Sequence, residues 1–177
     1  MTMTGFETAQ VTTPSDREVL VVRSFKAPRA LVYRAYSEPA LIQRWMLGPP
    51  DGDRPFGRWT MPVCEMDMRV GGQFRWRWLS EDGTQEFGFF GVFREVEPGV
   101  RTVHTETFDP GTLGGSMGGE AVITTTFDER DGITTVTTRM EYSSKEARDT
   151  AIATGMTDGM DYSFQGLDAL LPSLAGG

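Results

Sequence analysis

The spacing of apolar side chains divides the chain into a strand-rich body and a helical end. From Lys145 to Leu171 the apolar residues Ile152, Met156, Met160, Phe164, Leu167 and Leu171 recur at intervals of four, four, four, three and four. That period puts them on one side of a helix. Seven short strand-like runs precede it, the first at Val19–Phe25. After that run, Ala27-Pro28 predicts a helix with Pro28 in its first position. Leu31, Val32 and Ala35 would be its buried side. Glu38-Pro39 ends it, because the residue before a proline is pushed out of helical geometry. A second short helix carries Leu41, Ile42 and Trp45.

The stretch from Gly48 to Pro62 is dense in proline and glycine and predicts a loop. Val63 to Met68 then alternates, with Cys64, Met66 and Met68 on one face. Phe74, Trp76 and Trp78 share a face opposite Gln73, Arg75 and Arg77. Turn signals at Gly71-Gly72, Asp82-Gly83, Pro98-Gly99 and Asp131-Gly132 separate the later runs. Those runs are 86–96, 102–108, 121–127 and 134–142, with a glycine-rich loop at 109–119. Val136, Thr138, Met140 and Tyr142 form an inner set. The order is strand, two short helices, six strands, long helix. It predicts an α+β fold in one domain over residues 17–174, preceded by a flexible leader at 1–16. One amphipathic helix after an antiparallel meander must lay its stripe on the sheet.

Composition narrows the chemistry. The chain has 177 residues, a formal charge of −8 and a pI near 4.7. That balance, without clustered Lys and Arg, argues against a nucleic-acid partner. The single Cys64 permits no intramolecular disulfide and no cysteine metal site. The single His104 excludes a multi-histidine zinc site. No metal and no cofactor is expected. The first residues lack the apolar core of a secretory signal, and no run is long enough to span a membrane. A cytoplasmic location is the expectation. Gly114 to Gly119 does not follow a dinucleotide-binding pattern, lacks Lys, and joins two strands rather than opening a helix.

Several segments together resemble one family. They are Phe25-Lys26-Ala27-Pro28, the Glu38-Pro39 break before Leu41 and Trp45, Asp67-x-Arg69-Val70-Gly71-Gly72 and Gly91-x-Phe93-x-Glu95-Val96-x-Pro98. The tail adds Ser143 to Asp149, Gly155-Met156, Gly159-Met160 and Leu167-Asp168-x-Leu170-Leu171. In order, from about residue 18 to 172, they resemble the activator-of-Hsp90-ATPase-homologue-1-like branch of the START/Bet v 1-like (SRPBCC) superfamily. The resemblance implies a helix-grip fold. In it a curved antiparallel sheet of about six to seven strands wraps a long C-terminal helix, with two short helices after the first strand. It implies an apolar cavity between sheet and helix, ligand binding in many relatives, and polyketide-cyclase-like or hydrolase chemistry in some. A chaperone partner follows from the family name alone.

The candidate ligand-binding residues are Trp45, Met66, Phe74, Trp76, Trp78, Met140, Met156, Met160 and Phe164. Large flat rings and adaptable thioethers suit an apolar guest. They equally suit an ordinary core. Trp45, beside the proline-rich loop, would guard the mouth. His104 and Glu106 are two apart on one strand and so share a face, about 7 Å apart along it. If that face is inward, the pair can bind a polar ligand group or act as acid and base. Arg23 and Glu95 are alternates that would pair structurally. Cys64 as nucleophile lacks any supporting Cys–His arrangement. Gly155, Gly159 and Gly166 lie inside the predicted helix, where close approach to the sheet or a kink would account for them.

Three functions follow as alternatives. One is binding of a small, largely hydrophobic ligand in an internal cavity. Another is a cyclase, isomerase or hydrolase using His104 and Glu106. The third is a co-chaperone-like interaction domain. Self-association as a homodimer would cover sheet edges.

Overall fold

Strands and helices alternate in blocks, as the periodicity predicts. The computed structural model describes residues 7–116 and 118–176. Strand β1 (Gln10–Thr12) and strand β2 (Glu18–Phe25) lead into helices α1 (Arg29–Ser37) and α2 (Pro39–Trp45). Six strands follow: β3 (Trp59–Met66), β4 (Gln73–Ser80), β5 (Glu86–Glu97), β6 (Arg101–Asp109), β7 (Ala121–Arg130) and β8 (Ile133–Glu141). Helices α3 (Lys145–Ala153) and α4 (Met156–Ala175) close the chain. All eight strands form one antiparallel sheet in the order β1-β2-β8-β7-β6-β5-β4-β3. This is a helix-grip-like α+β architecture.

Alternation decides which face carries the core. The register aligns Val19, Met140, Ile123, His104 and Phe93 across five strands. Residues directly opposite in neighbouring strands share a face. On β2, β7 and β8 that face holds Val21, Phe25, Phe127 and Val136, all buried against Val32 and Ala35 of α1 and Phe164, Leu167 and Leu171 of α4. The helices therefore lie on this inner face.

Several sequence expectations need correction. The predicted 1–16 leader falls partly outside the described residues, and within it Gln10–Thr12 pair with β2 as a short edge strand. The loop predicted to Pro62 ends earlier, because β3 begins at Trp59 and carries a register shift between Thr60 and Val63. Met68 lies beyond its end. The strand count is eight rather than six to seven. Pro28 sits just before α1 with an extended ψ of 153°, not inside it.

The long C-terminal helix is bent into two segments. Gly155 has φ 80°, a left-handed conformation that glycine adopts without steric penalty, and it separates α3 from α4. Ser144 caps α3 by accepting a hydrogen bond from the Ala147 amide at 3.0 Å. Gly159 has open space where a side chain would start, so close packing does not account for it. Gly166 does: a Cβ there would lie 2.3 Å from the Trp45 carbonyl oxygen. Its missing side chain lets α4 approach the end of α2.

Candidate functional site

The far half of the inner face is a continuous sheet of rings. Phe74, Trp76 and Trp78 of β4 oppose Gly91, Phe89 and Phe87 of β5, and Phe89 in turn opposes Phe108 of β6. Trp78 stacks on Phe87 at 5.1 Å, and Trp59 meets Phe87 edge-on at 5.4 Å. Gly91 leaves the space that the Phe74 ring fills. Phe74 is buried, but Trp76, Trp78, Phe87, Phe89 and Phe108 are only half-buried. The rings are thus not sealed under the helices as the core half is.

A polar group interrupts the rings. His104 is 9% exposed, packed edge-on against Phe74 and Phe93 at 5.0 and 5.8 Å. Its Nε2 lies 3.5 Å from Glu106 Oε1. Both side chains point inward, which the sequence alone left open. Glu106 opposes the small Ala121, and Tyr142 lies just past the end of β8 on the same face. Burial, and then the nearby Glu106 carboxylate, push the Tyr142 phenol above its ordinary range. The Tyr142 hydroxyl reaches Met156 Sδ at 3.5 Å, which brings the start of α4 to this corner.

Two polar atoms here are buried without a partner among the described residues: His104 Nδ1 and Trp76 Nε1. Such atoms normally lose stability unless a hydrogen bond is made. Nδ1 is the ring nitrogen that Glu106 does not reach, since the carboxylate lies against Nε2. The indole N–H is a donor.

The other sequence-predicted residues divide. Met66 neighbours Phe74 across the β3–β4 ladder. Met160 is half-buried on α4 beside Met156, against the core. Trp45 does not guard a mouth: it is 2% exposed, stacked with Phe164, and its indole N–H donates to the Ala35 carbonyl at 2.8 Å. Phe164 and Met140 likewise sit in the core. Arg23 and Glu95 do not pair with each other. Arg23 pairs with Asp168 and Glu95 with Arg101. Phe87, Phe89, Phe108 and Tyr142 complete the face. The alternation of Phe87 and Phe89 opposite Trp78 and Trp76 was the signal for two of them.

Cys64 opposes Trp76 on the inner face, and burial pushes its thiol up to about 11. Burial disfavours the charged thiolate, so the nucleophilic form is scarce near neutrality. Alkylation by iodoacetamide at pH 8 is expected to run about a hundredfold slower in the native protein than in urea, a two-unit displacement. The rate should climb as the pH approaches 11. Equal native and unfolded rates, followed by mass spectrometry, would refute it.

No cluster of His, Cys, Asp and Glu suited to a metal ion occurs among the described residues. None of the described helices is long and apolar enough to cross a membrane. Two surface grooves of about 400 and 420 Å3 flank Trp59, and neither is lined by Phe74, Trp76 or Trp78.

Comparison with known proteins supplies a family. The model for "Activator of Hsp90 ATPase homolog 1-like protein" matches residues 26–172. A Rhodobacter sphaeroides protein of known structure is similar at 26% identity and TM-score 0.80, covering 94% of this chain and 99% of its own. A Mycobacterium smegmatis protein is similar at 20% identity and TM-score 0.75, with the same coverage. A Nitrosomonas europaea protein is similar at 20% identity and TM-score 0.74, covering 93% and 100%. The last two bear on fold alone. The search of curated proteins finds no match.

Proposed function

We propose that this chain, which belongs to the Activator of Hsp90 ATPase homolog 1-like family, binds a small, planar, largely apolar molecule against the ring-lined half of its sheet. The observation that carries this reading is the face of half-exposed rings, Trp76, Trp78, Phe87, Phe89 and Phe108, with the buried His104 set among them. A guest there removes aromatic surface from water at roughly 25 cal/mol per Å2. Trp76, Trp78 and Phe89 form the bed, Met66 one wall, and Met156 and Met160 the adaptable opposite side.

A second reading rests on the 3.5 Å contact between His104 and Glu106. A carboxylate that orients an imidazole leaves the other ring nitrogen to move a proton. It needs the imidazole to turn so that Nδ1, buried in this structure, meets a substrate proton.

The test uses N-phenyl-1-naphthylamine, an uncharged probe whose fluorescence rises in apolar surroundings. Saturable binding at one site is expected, weakened about tenfold by Trp76→Leu, the loss of one ring contact. His104→Phe should alter affinity while the unfolding midpoint is retained. Absence of saturable binding, or an affinity unmoved by both substitutions, would defeat the reading.

A further inference from the structure

The groove of about 420 Å3 lies between the end of α2, the middle of α4 and the 48–58 segment. Three arginines, Arg44, Arg54 and Arg58, line it, and no carboxylate side chain does. That is unexpected in a chain with 25 acidic and 17 basic residues. The neighbouring groove across Trp59 shows the contrast, since Glu81 and Asp82 line it beside Arg58.

These charges are not used up by the fold. Arg58 reaches Glu81 only at 3.9 Å, with both side chains largely exposed. Arg54 donates one guanidinium nitrogen to the Pro50 carbonyl at 2.8 Å. Arg44 makes no ion pair among the described residues. Between them the groove is apolar, with Leu47, Pro49, Trp59 and Leu170 along it. Its floor is stiff, because Gly166 packs directly on the backbone of Trp45 and Gly48. A preformed cleft of this volume is in the range that takes small molecules.

We propose that this groove binds a small anionic amphiphile, its carboxylate held by Arg44 and Arg58 and its apolar body laid on Trp59, Leu47 and Leu170. Guanidinium forks match a carboxylate in two parallel hydrogen bonds. An inorganic anion would leave the apolar bed wet, and a neutral lipid would leave the arginines without a counter-charge. The site is separate from the ring-lined face and stands without it.

The experiment is calorimetric titration of the full chain with decanoate and, separately, decan-1-ol at low salt. Decanoate is expected to bind one site at least tenfold more tightly than decanol, and to weaken as salt is raised. The variant Arg44→Gln/Arg58→Gln should weaken decanoate at least tenfold. Both side chains are exposed, so its unfolding midpoint should hold. Arg44→Gln alone gives the same reading in smaller measure should the double variant be unstable. The naphthylamine titration should be unchanged in these variants. Equal binding of decanol, no decanoate binding, or an arginine variant that binds as before overturns the proposal. So does an arginine variant that is folded yet loses the uncharged probe as well, since the two sites are then one. Arginine-dependent decanoate binding without naphthylamine binding would sustain the groove while defeating the ring-face reading.

Discussion

Asp168→Ala is expected to remove about 3 kcal/mol of folding stability, the low end for stranding one member of a buried ion pair. Arg23 is 2% exposed on the inner face of β2, and Asp168 of α4 is its counter-charge. Two guanidinium nitrogens engage the carboxylate, one at 3.1 Å, and the same end donates to the Ser24 carbonyl at 2.7 Å. The cation also lies 4.8 Å from the Phe25 ring centre. Removing the carboxylate leaves a buried positive charge with one carbonyl and one ring for company. Asp168 is itself half-exposed, so water can partly replace it, which is why the low end applies. Urea denaturation measures the loss. Asp168→Asn should lose nearly as much, because shape is kept and charge is not. The double variant Arg23→Met/Asp168→Leu should recover much of it, since a packed apolar pair needs no counter-charge. A loss below about 0.5 kcal/mol in Asp168→Ala, the level of an ordinary surface change, would show that the pair does not tie helix to sheet.

Gly166→Ala is expected to destabilise by about 3 kcal/mol, whereas Gly159→Ala should stabilise by up to about 1 kcal/mol. The two glycines lie on one helix and differ only in what surrounds them. A methyl at 166 would meet the Trp45 carbonyl oxygen at 2.3 Å and backbone atoms of Gly48 at 2.8 Å. These are main-chain atoms that cannot rotate aside, so α2 and α4 must part. A methyl at 159 meets nothing within 4 Å. It reduces only the freedom of the unfolded chain and improves helix propensity. Thermal and urea unfolding of both variants should give opposite signs. The same sign in both would mean that the contact between α2 and α4 is not as close as described.

Much of this architecture was legible because periodicity is local. The two-residue alternation of Phe74, Trp76 and Trp78, and the helical stripe from Ile152 to Leu171, each name a face from a few neighbours. What escaped were features set by partners distant in the chain. The inward face of His104 follows from its register with Phe93 and Ile123, and the opposite set on its own strand, Val103, Thr105 and Thr107, was too weakly apolar to give a preference. The break at Gly155 left the stripe's period intact, and only the glycine itself, readable as a close approach or a kink, pointed to it. Trp45 read as a gatekeeper from its place beside a proline-rich loop, yet its depth comes from Phe164, more than a hundred residues away. The arginine groove had no sequence signature at all. Arg44, Arg54 and Arg58 are spaced by ten and by four, with no period, and only the return of α4 beside them makes a groove.

The two margins of the sheet carry a consequence for solution behaviour. One border, β1, offers three residues; the other, β3, is interrupted by a register shift around Pro62, a residue with no amide hydrogen to donate. Among the described residues, neither rim presents a long straight row of unfilled main-chain groups on which an extended stranger could template itself. A concentrated stock of the folded protein should therefore resist fibril growth by strand addition, however aromatic its interior.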